Sequence, residues 1–308
     1  FKFFHLFVAN LKFMQTPISN CFIRSALFVP GDRPDQIDKA IQTSADLVII
    51  DLEDAVLVEK KSIARECVLK CLSSQENKRR FVIRINQVNS EDFISDFDLL
   101  IQSPPYAVMF PKFESVNELE CLSDHLLKIE RERRIQEKTI RIIPLIESAI
   151  GIERGERILH TSAVDRILCL AFGAADYACD LGLEMDDNNE WMLYPYSRLP
   201  VVSRAAGILA PLDAPYMTDL KDEEGLRLAC LRARRMGFQG KLCIHPIQIK
   251  TCNREFSISA SEIERAKQIV ETFRRAQCKG SGVVQLDGRM IDKPIVERAM
   301  WILKIAGK

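Results

Sequence analysis

Eight short, nearly unbroken apolar runs recur along the chain, each followed by a stretch with helical spacing, and this alternation constrains the fold more than any other feature. The runs are residues 25–31 (SALFVPG), 47–54 (LVIIDLED), 81–86 (FVIRIN), 107–113 (AVMFPKF), 141–149 (RIIPLIESA), 166–173 (RILCLAFG), 207–213 (GILAPLD) and 240–246 (GKLCIHP). A strand with one face in water alternates apolar and polar residues, whereas a continuous run marks a parallel strand covered on both faces. Between the runs, Ile37 and Ile41 space a helix over 33–44, a second helix reaches about Leu72, and 118–134 reads as a long charged amphipathic helix. Eight such units predict an α/β fold of the (β/α)8 TIM-barrel type. An open doubly wound sheet is the alternative, but no Gly-x-Gly-x-x-Gly follows the first run.

Past the last run, 259–277 reads as a helix with Ser259 or Ser261 as N-cap. Lys-Gly-Ser-Gly at 279–282 interrupts the pattern, and Leu-Asp-Gly-Arg at 286–289 predicts a hairpin turn. A final helix starts at Pro294, a residue suited to a first helical position, and runs to about Ile305. The expected organisation is an N-terminal extension over 1–20, a barrel over 21–255 and a C-terminal helical extension over 256–308, too small for a core of its own. The apolar part of the N-terminal extension is as long as that of a signal peptide, but no small-x-small site follows it, and Met14 stands as an alternative start.

Composition excludes several roles. Lys+Arg and Asp+Glu both number 43, so no basic excess points to nucleic acid and no acidic tail to a basic partner. No run of 18 apolar residues exists, so no membrane span is expected. Ten cysteines are scattered, Cys169 and Cys243 inside predicted strands and Cys67 one helical turn from Cys71, with no Cys-x-x-Cys pair. That distribution indicates neither a zinc site nor a redox motif, and buried, reduced thiols in a cytoplasmic protein are expected.

Charge sits where a barrel places its chemistry, at the ends of strands. In order these ends carry Asp51, Glu53, Asp54, Arg84, Asn86, Lys112, Glu147, Asp176, Asp213 and His245. Burying an unpartnered carboxylate pushes it toward its neutral form, so Glu147 and Asp176 on successive runs suggest a shared cation. Hard oxygen ligands favour Mg²⁺. The other reading is that each acid caps the helix after it. Arg84 can either bond an oxygen that gains negative charge or form a structural ion pair with Asp51 or Glu53, and the two are compatible.

Seven motifs occur in order: RSALFVPG (24–31), DLEDAV (51–56), RIN (84–86), PK (111–112), LIESA (145–149), FGAADY (172–177) and IHPIQI (244–249). Together they resemble the citrate lyase β-subunit family of the HpcH/HpaI aldolase superfamily, which includes malyl-CoA and citramalyl-CoA lyases, over about residues 24–300. The resemblance implies a TIM barrel that cleaves or forms a carbon–carbon bond beside an acyl thioester with Mg²⁺. Citryl-CoA, citramalyl-CoA or malyl-CoA would give acetyl-CoA and an oxo acid through a thioester enolate. It further implies Glu147 and Asp176 as metal ligands, and Arg84 as the catalytic contact to substrate oxygens, with Glu147, Asp51 and Glu53 in the substrate site. Arg24 and the segment Ile244, His245, Pro246 fall where the family holds coenzyme A. In MIDKP (290–294), Asp292 matches the acid/base that closes over a neighbouring subunit's site, while an N-cap role for Asp292 is equally compatible with its position. Homotrimers or hexamers are implied as well. Two alternatives share the resemblance: a citryl-carrier lyase subunit of a citrate lyase complex with acyl-carrier and transferase subunits, and a thioester-independent aldolase on a 2-oxo acid. The MIDKP segment favours the acyl-CoA lyase.

Overall fold

A computed structural model describes residues 22–75, 78–184, 190–278 and 280–307. The expected extension over 1–20 lies outside the described residues. The chain divides into two compact units, Phe22–Phe256 and a C-terminal segment from Ser257 onward.

In the first unit β1 (Ser25–Pro30), β2 (Leu47–Asp51), β3 (Phe81–Arg84), β4 (Ala107–Phe110), β5 (Arg141–Ile146), β6 (Cys169–Phe172), β7 (Leu209–Asp213) and β8 (Gly240–Cys243) close into a barrel. Each strand pairs in parallel with the next, and β8 returns to β1 through Ser25 opposite Lys241. All five residues of β2 are buried, as a strand covered on both faces requires. Around the barrel lie α1 (Pro34–Ile41), α2 (Lys61–Ser74), α3 (Asp92–Gln102), α4 (Val116–Glu132), α5 (Ala149–Arg154), α6 (Ala174–Asp180), α7 (Leu193–Ala205), α8 (Glu223–Met236) and α9 (Ile247–Phe256). Leu119, Leu122, Leu126 and Ile129 form the buried stripe of α4, at the three- and four-residue spacing of one helix face.

The strands are shorter than the apolar runs that announced them, and the difference builds the site. The run over 47–54 is extended only to Asp51, and the run over 141–149 only to Ile146; the residues beyond turn across the barrel end. The run over 166–173 begins as a 3-10 turn, Val164–Arg166, and becomes a strand at Cys169. Asp176 therefore does not end a strand, as the apolar pattern suggested, but lies in the first turn of α6.

Helix α1 is shorter than the predicted 33–44, with Arg33 at the N-cap and Pro34 at the first helical position. Away from the strand carboxyl ends, Arg166 and Glu130 form a buried fork-to-fork pair at 2.7 and 3.0 Å. The N–H groups of Lys138 and Ile140 occupy remaining lone pairs of the same carboxylate, so the pair is fully hydrogen-bonded, the condition for tolerating buried charge.

The C-terminal unit contains α10 (Ala260–Cys278), the hairpin of β9 (Val284–Leu286) and β10 (Arg289–Ile291), and α11 (Lys293–Ile305). Ser259 caps α10 in a reciprocal box: its Oγ accepts the N–H of Glu262 at 3.2 Å, and Glu262 Oε2 accepts the N–H of Ser259 at 2.9 Å. Asp287 and Gly288 have φ of 50° and 76°, the left-handed pair that a two-residue hairpin needs to match strand twist. Phe273, Ile291 and Val296 are buried together with Ile269, Leu286 and Met300 packed on them. The segment expected to lack a core thus has a small one.

All nine described cysteines are free thiols, with Cys179 and Cys278 exposed rather than buried. Among the described residues no helix is long and apolar enough to cross a membrane.

Candidate active site

The site begins where β2 and β3 end side by side, because their register sets Asp51 opposite Arg84. Arg84 Nε donates to Asp51 Oδ1 at 2.7 Å and Nη2 to Oδ2 at 2.5 Å, a bidentate fork. The same carboxylate accepts the N–H groups of Glu53 at 2.9 Å and Ala55 at 3.0 Å, which folds the loop after β2 over the barrel end. That fold turns Glu53 inward. Its Oε1 accepts from Lys112 Nζ at 2.9 Å, and its Oε2, 3.2 Å from Arg84 Nη1, is buried without a hydrogen bond of proper geometry. The guanidinium carbon lies 5.0 Å from the Phe28 ring centroid, a cation–π contact from β1. Burial opposes the charge on Arg84, but Asp51, then Glu53 and Glu147, outweigh it and hold the guanidinium protonated more firmly than usual. The ion-pair alternative for Arg84 is thus present, with both of its named partners.

Glu147 follows β5 directly. Ser148, not Glu147, caps α5, its Oγ accepting the N–H of Gly151 at 3.1 Å. Freed from capping, Glu147 is 3% exposed. Its Oε1 accepts the backbone N–H of Lys112 at 2.7 Å, while no donor among the described residues reaches Oε2. Burial, only partly offset by that N–H, together with the charges of Asp176 and Glu53, pushes the Glu147 carboxyl up to about 8. Asp176 is exposed in the first turn of α6, whose N-cap is Gly173 without a side-chain bond. Neither acid is a helix cap.

Gly173 is dictated by this arrangement. A Cβ there would stand 2.6 Å from Glu147 Oε2 and 2.7 Å from Glu147 Cβ. Gly173→Ala is therefore expected to displace the carboxylate, lower stability by about 1–3 kcal/mol and reduce whatever function Glu147 serves. Thermal melts and metal titration of that variant check both effects; an unchanged melt and unchanged titration would contradict this packing.

Lys112 connects the two halves. It follows β4 with φ of +47°, a left-handed conformation uncommon for a side-chain-bearing residue and costing about 1–3 kcal/mol. Its N–H faces Glu147 while its ammonium reaches Glu53 at 2.9 Å and Asp54 at 3.2 Å.

Beneath this layer is a polar brace that pattern reading missed. Lys61, buried at the start of α2, donates to the carbonyls of Leu52 (2.7 Å) and Glu53 (2.9 Å) and to Asn86 Oδ1 (2.6 Å). Asn86 in turn donates through N and Nδ2 to Asp96 at 2.8 Å each, and Arg65 Nε closes on Asp96 at 2.8 Å. The available signal was a Lys, an Arg and an Asp at otherwise buried helix positions; without partners in view they read as ordinary surface charge.

Asp213 of the strand ends, and Arg24 of the first motif, belong elsewhere. Asp213 is fully buried in an ion pair with Lys241 and accepts Tyr196 Oη–H at 2.7 Å, so its charge is consumed within the wall of the barrel. Arg24 precedes β1, at the opposite end of the strands from Glu147, and its Nε and Nη2 donate to Asp46 at 2.9 and 2.7 Å. The structure does not bring Arg24 to the rim that carries Ile244, His245 and Pro246, which are exposed just past β8. His245 Nδ1 accepts the N–H of Ile247 at 3.2 Å.

No group of three or more His, Cys, Asp or Glu side chains among the described residues forms a ready-made metal cage. The rim offers two carboxylates, one with an open oxygen and a proton affinity raised by burial and like charge. A hard divalent cation relieves that repulsion, and Mg²⁺ completes its shell with water and substrate oxygens rather than a protein cage. The donor set fits it.

A closed parallel barrel with carboxylates and a braced arginine gathered at the carboxyl ends of its strands defines a (β/α)8 protein of the kind that carries its chemistry on that rim. The chain belongs to the HpcH/HpaI aldolase/citrate lyase family, whose model matches residues 24–246. It is 31% identical over 284 residues to citrate lyase subunit beta of Leuconostoc mesenteroides subsp. cremoris, covering 92% of this chain and 93% of the relative. It is 30% identical over 292 residues to the mitochondrial citramalyl-CoA lyase of Mus musculus, covering 92% and 86%. Among solved structures it is similar to protein CitE of Mycobacterium tuberculosis in complex with magnesium, acetoacetate and coenzyme A. That match has a TM-score of 0.76 and 27% identity and covers 94% of this chain and 100% of the other.

Proposed function

We propose that this protein is a Mg²⁺-dependent carbon–carbon lyase that cleaves a 3-hydroxy acyl-CoA thioester, citryl-CoA, citramalyl-CoA or malyl-CoA, to acetyl-CoA and an oxo acid. The observation that carries the reading is Arg84, held by Asp51 and Glu53 beside a buried Glu147 whose Oε2 is open. Mg²⁺, when bound by Glu147 and Asp176, supplies Lewis-acid polarisation of the carbonyl that forms. Arg84 directs its remaining donor capacity at the oxygen that gains negative charge, and because Asp51 and Glu53 fix its plane, no reorganisation is needed as that charge develops. Asp292, acting on a neighbouring subunit's site, is assigned the proton transfer between the 3-hydroxyl and the departing enolate. Its Oδ1 accepts the N–H of Ile295 at 3.3 Å as the N-cap of α11, and no donor among the described residues reaches Oδ2. Ile244, His245 and Pro246 are assigned to the coenzyme A moiety. The binding of magnesium and coenzyme A by the Mycobacterium tuberculosis protein supports both ligands here. Assembly as a homotrimer or hexamer belongs to the same proposal, and the free thiols support a reducing compartment such as the cytoplasm.

The second reading, a subunit of a citrate lyase complex acting on a carrier-bound thioester, is favoured by the near full-length match to the Leuconostoc subunit. One experiment separates the two. The purified chain is assayed spectrophotometrically against citryl-, citramalyl- and malyl-CoA, and in reverse with acetyl-CoA or propionyl-CoA and a panel of oxo acids, with Mg²⁺ or with EDTA. The lyase reading expects turnover by the chain alone, abolished by EDTA and restored by Mg²⁺. Activity only after adding an acyl-carrier protein supports the complex, and metal-independent turnover overturns the site assignment.

A further inference from the structure

We propose that Lys112 is a positioning residue with two separable actions, its backbone N–H orienting Glu147 and its ammonium holding Glu53 against Arg84. The inference rests on the lyase reading above for what the two ends of the site do, but its geometry stands by itself. Glu147 has one donor among the described residues, the N–H of Lys112 at 2.7 Å, and the residue that supplies it holds a left-handed φ of +47°. A non-glycine residue stays in this region when its surroundings over-determine it, and such outliers collect at functional sites.

The surroundings here are the carboxylates of Glu53 and Asp54, which hold the ammonium at 2.9 and 3.2 Å. Glu53 is 4% exposed, and its second oxygen lies 3.2 Å from Arg84 Nη1. Without the ammonium, the buried Glu53 carboxylate has Arg84 as its remaining cation and competes with Asp51 for the guanidinium plane. One residue therefore sets the orientation of a proposed metal ligand through its main chain and of the oxyanion donor through its side chain. Partners that orient site residues in this way typically govern affinity or rate by about 10- to 100-fold.

Three variants separate the actions. Lys112→Gly keeps the left-handed backbone and deletes the ammonium; Mg²⁺ affinity by titration calorimetry is expected within about twofold of wild type, while kcat/KM falls about 10- to 100-fold. Lys112→Val opposes φ > 0 through its branched side chain, so Mg²⁺ affinity falls about 10- to 100-fold as well. Lys112→Arg retains both actions and recovers most of the turnover lost in the glycine variant. Wild-type kcat/KM in Lys112→Gly, or unchanged Mg²⁺ affinity in Lys112→Val, overturns the proposal. A wild type that binds Mg²⁺ but cleaves no thioester fails the lyase reading alone, and the calorimetric contrast between the glycine and valine variants still decides the role of the main chain.

Discussion

Arg84→Ala is expected to fold and to turn over at no more than about a hundredth of the wild-type rate. Preorganised donors aimed at developing oxygen charge contribute about 100- to 1000-fold when removed singly, and this guanidinium is held on three sides, by Asp51, Glu53 and the Phe28 ring. Loss of Arg84 also strands a buried carboxylate. Breaking a buried pair on one side costs about 3–5 kcal/mol, but Asp51 retains the N–H groups of Glu53 and Ala55, and Glu53 retains Lys112, so the loss falls below that range. Arg84→Lys keeps the charge and loses the fork, and its rate should lie between those of alanine and wild type. Circular dichroism establishes the fold and steady-state kinetics the rate; near-wild-type turnover of a folded Arg84→Ala would remove Arg84 from the mechanism.

Glu147→Gln is expected to trade function for stability. The amide can still accept the Lys112 N–H through its carbonyl oxygen but offers no anionic ligand, so Mg²⁺ affinity should fall at least about 100-fold, the upper end of what loss of a mere supporting partner causes. In the metal-free protein the sign of the pH effect is fixed. The Glu147 carboxyl rises from the ordinary 4.5 to about 8 on folding, so the folded state binds the proton more tightly than the unfolded chain. Its contribution is fully present below the unfolded value and is lost as pH rises through about 8. At pH 7 the cost of keeping this group in place is an order-of-magnitude upper limit of about 3 kcal/mol. Metal-free Glu147→Gln should therefore melt higher than metal-free wild type at pH 7 and lack that decline between pH 5 and 8. Parallel melting curves for the two proteins across that range would contradict the burial of a strained acid here.

The two predictions draw on different degrees of legibility. The positions of Arg84, Glu147, Asp51 and Glu53 were readable because each follows or ends a continuous apolar run, and a barrel collects such ends on one rim. The hairpin at Asp287–Gly288 and the capping residues Ser259 and Asp292 were readable because turn and cap chemistry is local. The apolar run before Asp176 suggested a strand end, but Asp176 lies in a helix that starts at Ala174, just past a glycine whose need is visible only in space: the Glu147 carboxylate occupies the volume of its Cβ. Asp213 carried the same signature as Asp51, yet its charge goes to Lys241 and Tyr196. Arg24 shares a motif with β1 but sits at the other end of it.

What the sequence alone determined is the set of βα units, their parallel pairing and the identity of the acids and arginine at their ends, because the apolar pattern and turn chemistry are set by neighbours within a few residues. Which charges meet was decided by the closed barrel. Register sets Asp51 against Arg84, a left-handed turn brings the N–H of Lys112 to Glu147, and Lys61 rises beneath both from a helix. Each of these contacts joins residues at least 8 positions apart, the shortest being Lys61 to the Glu53 carbonyl and the longest Lys112 to Glu147 at 35. The energy of an ion pair depends on distance and burial, and neither is defined until the strands have closed.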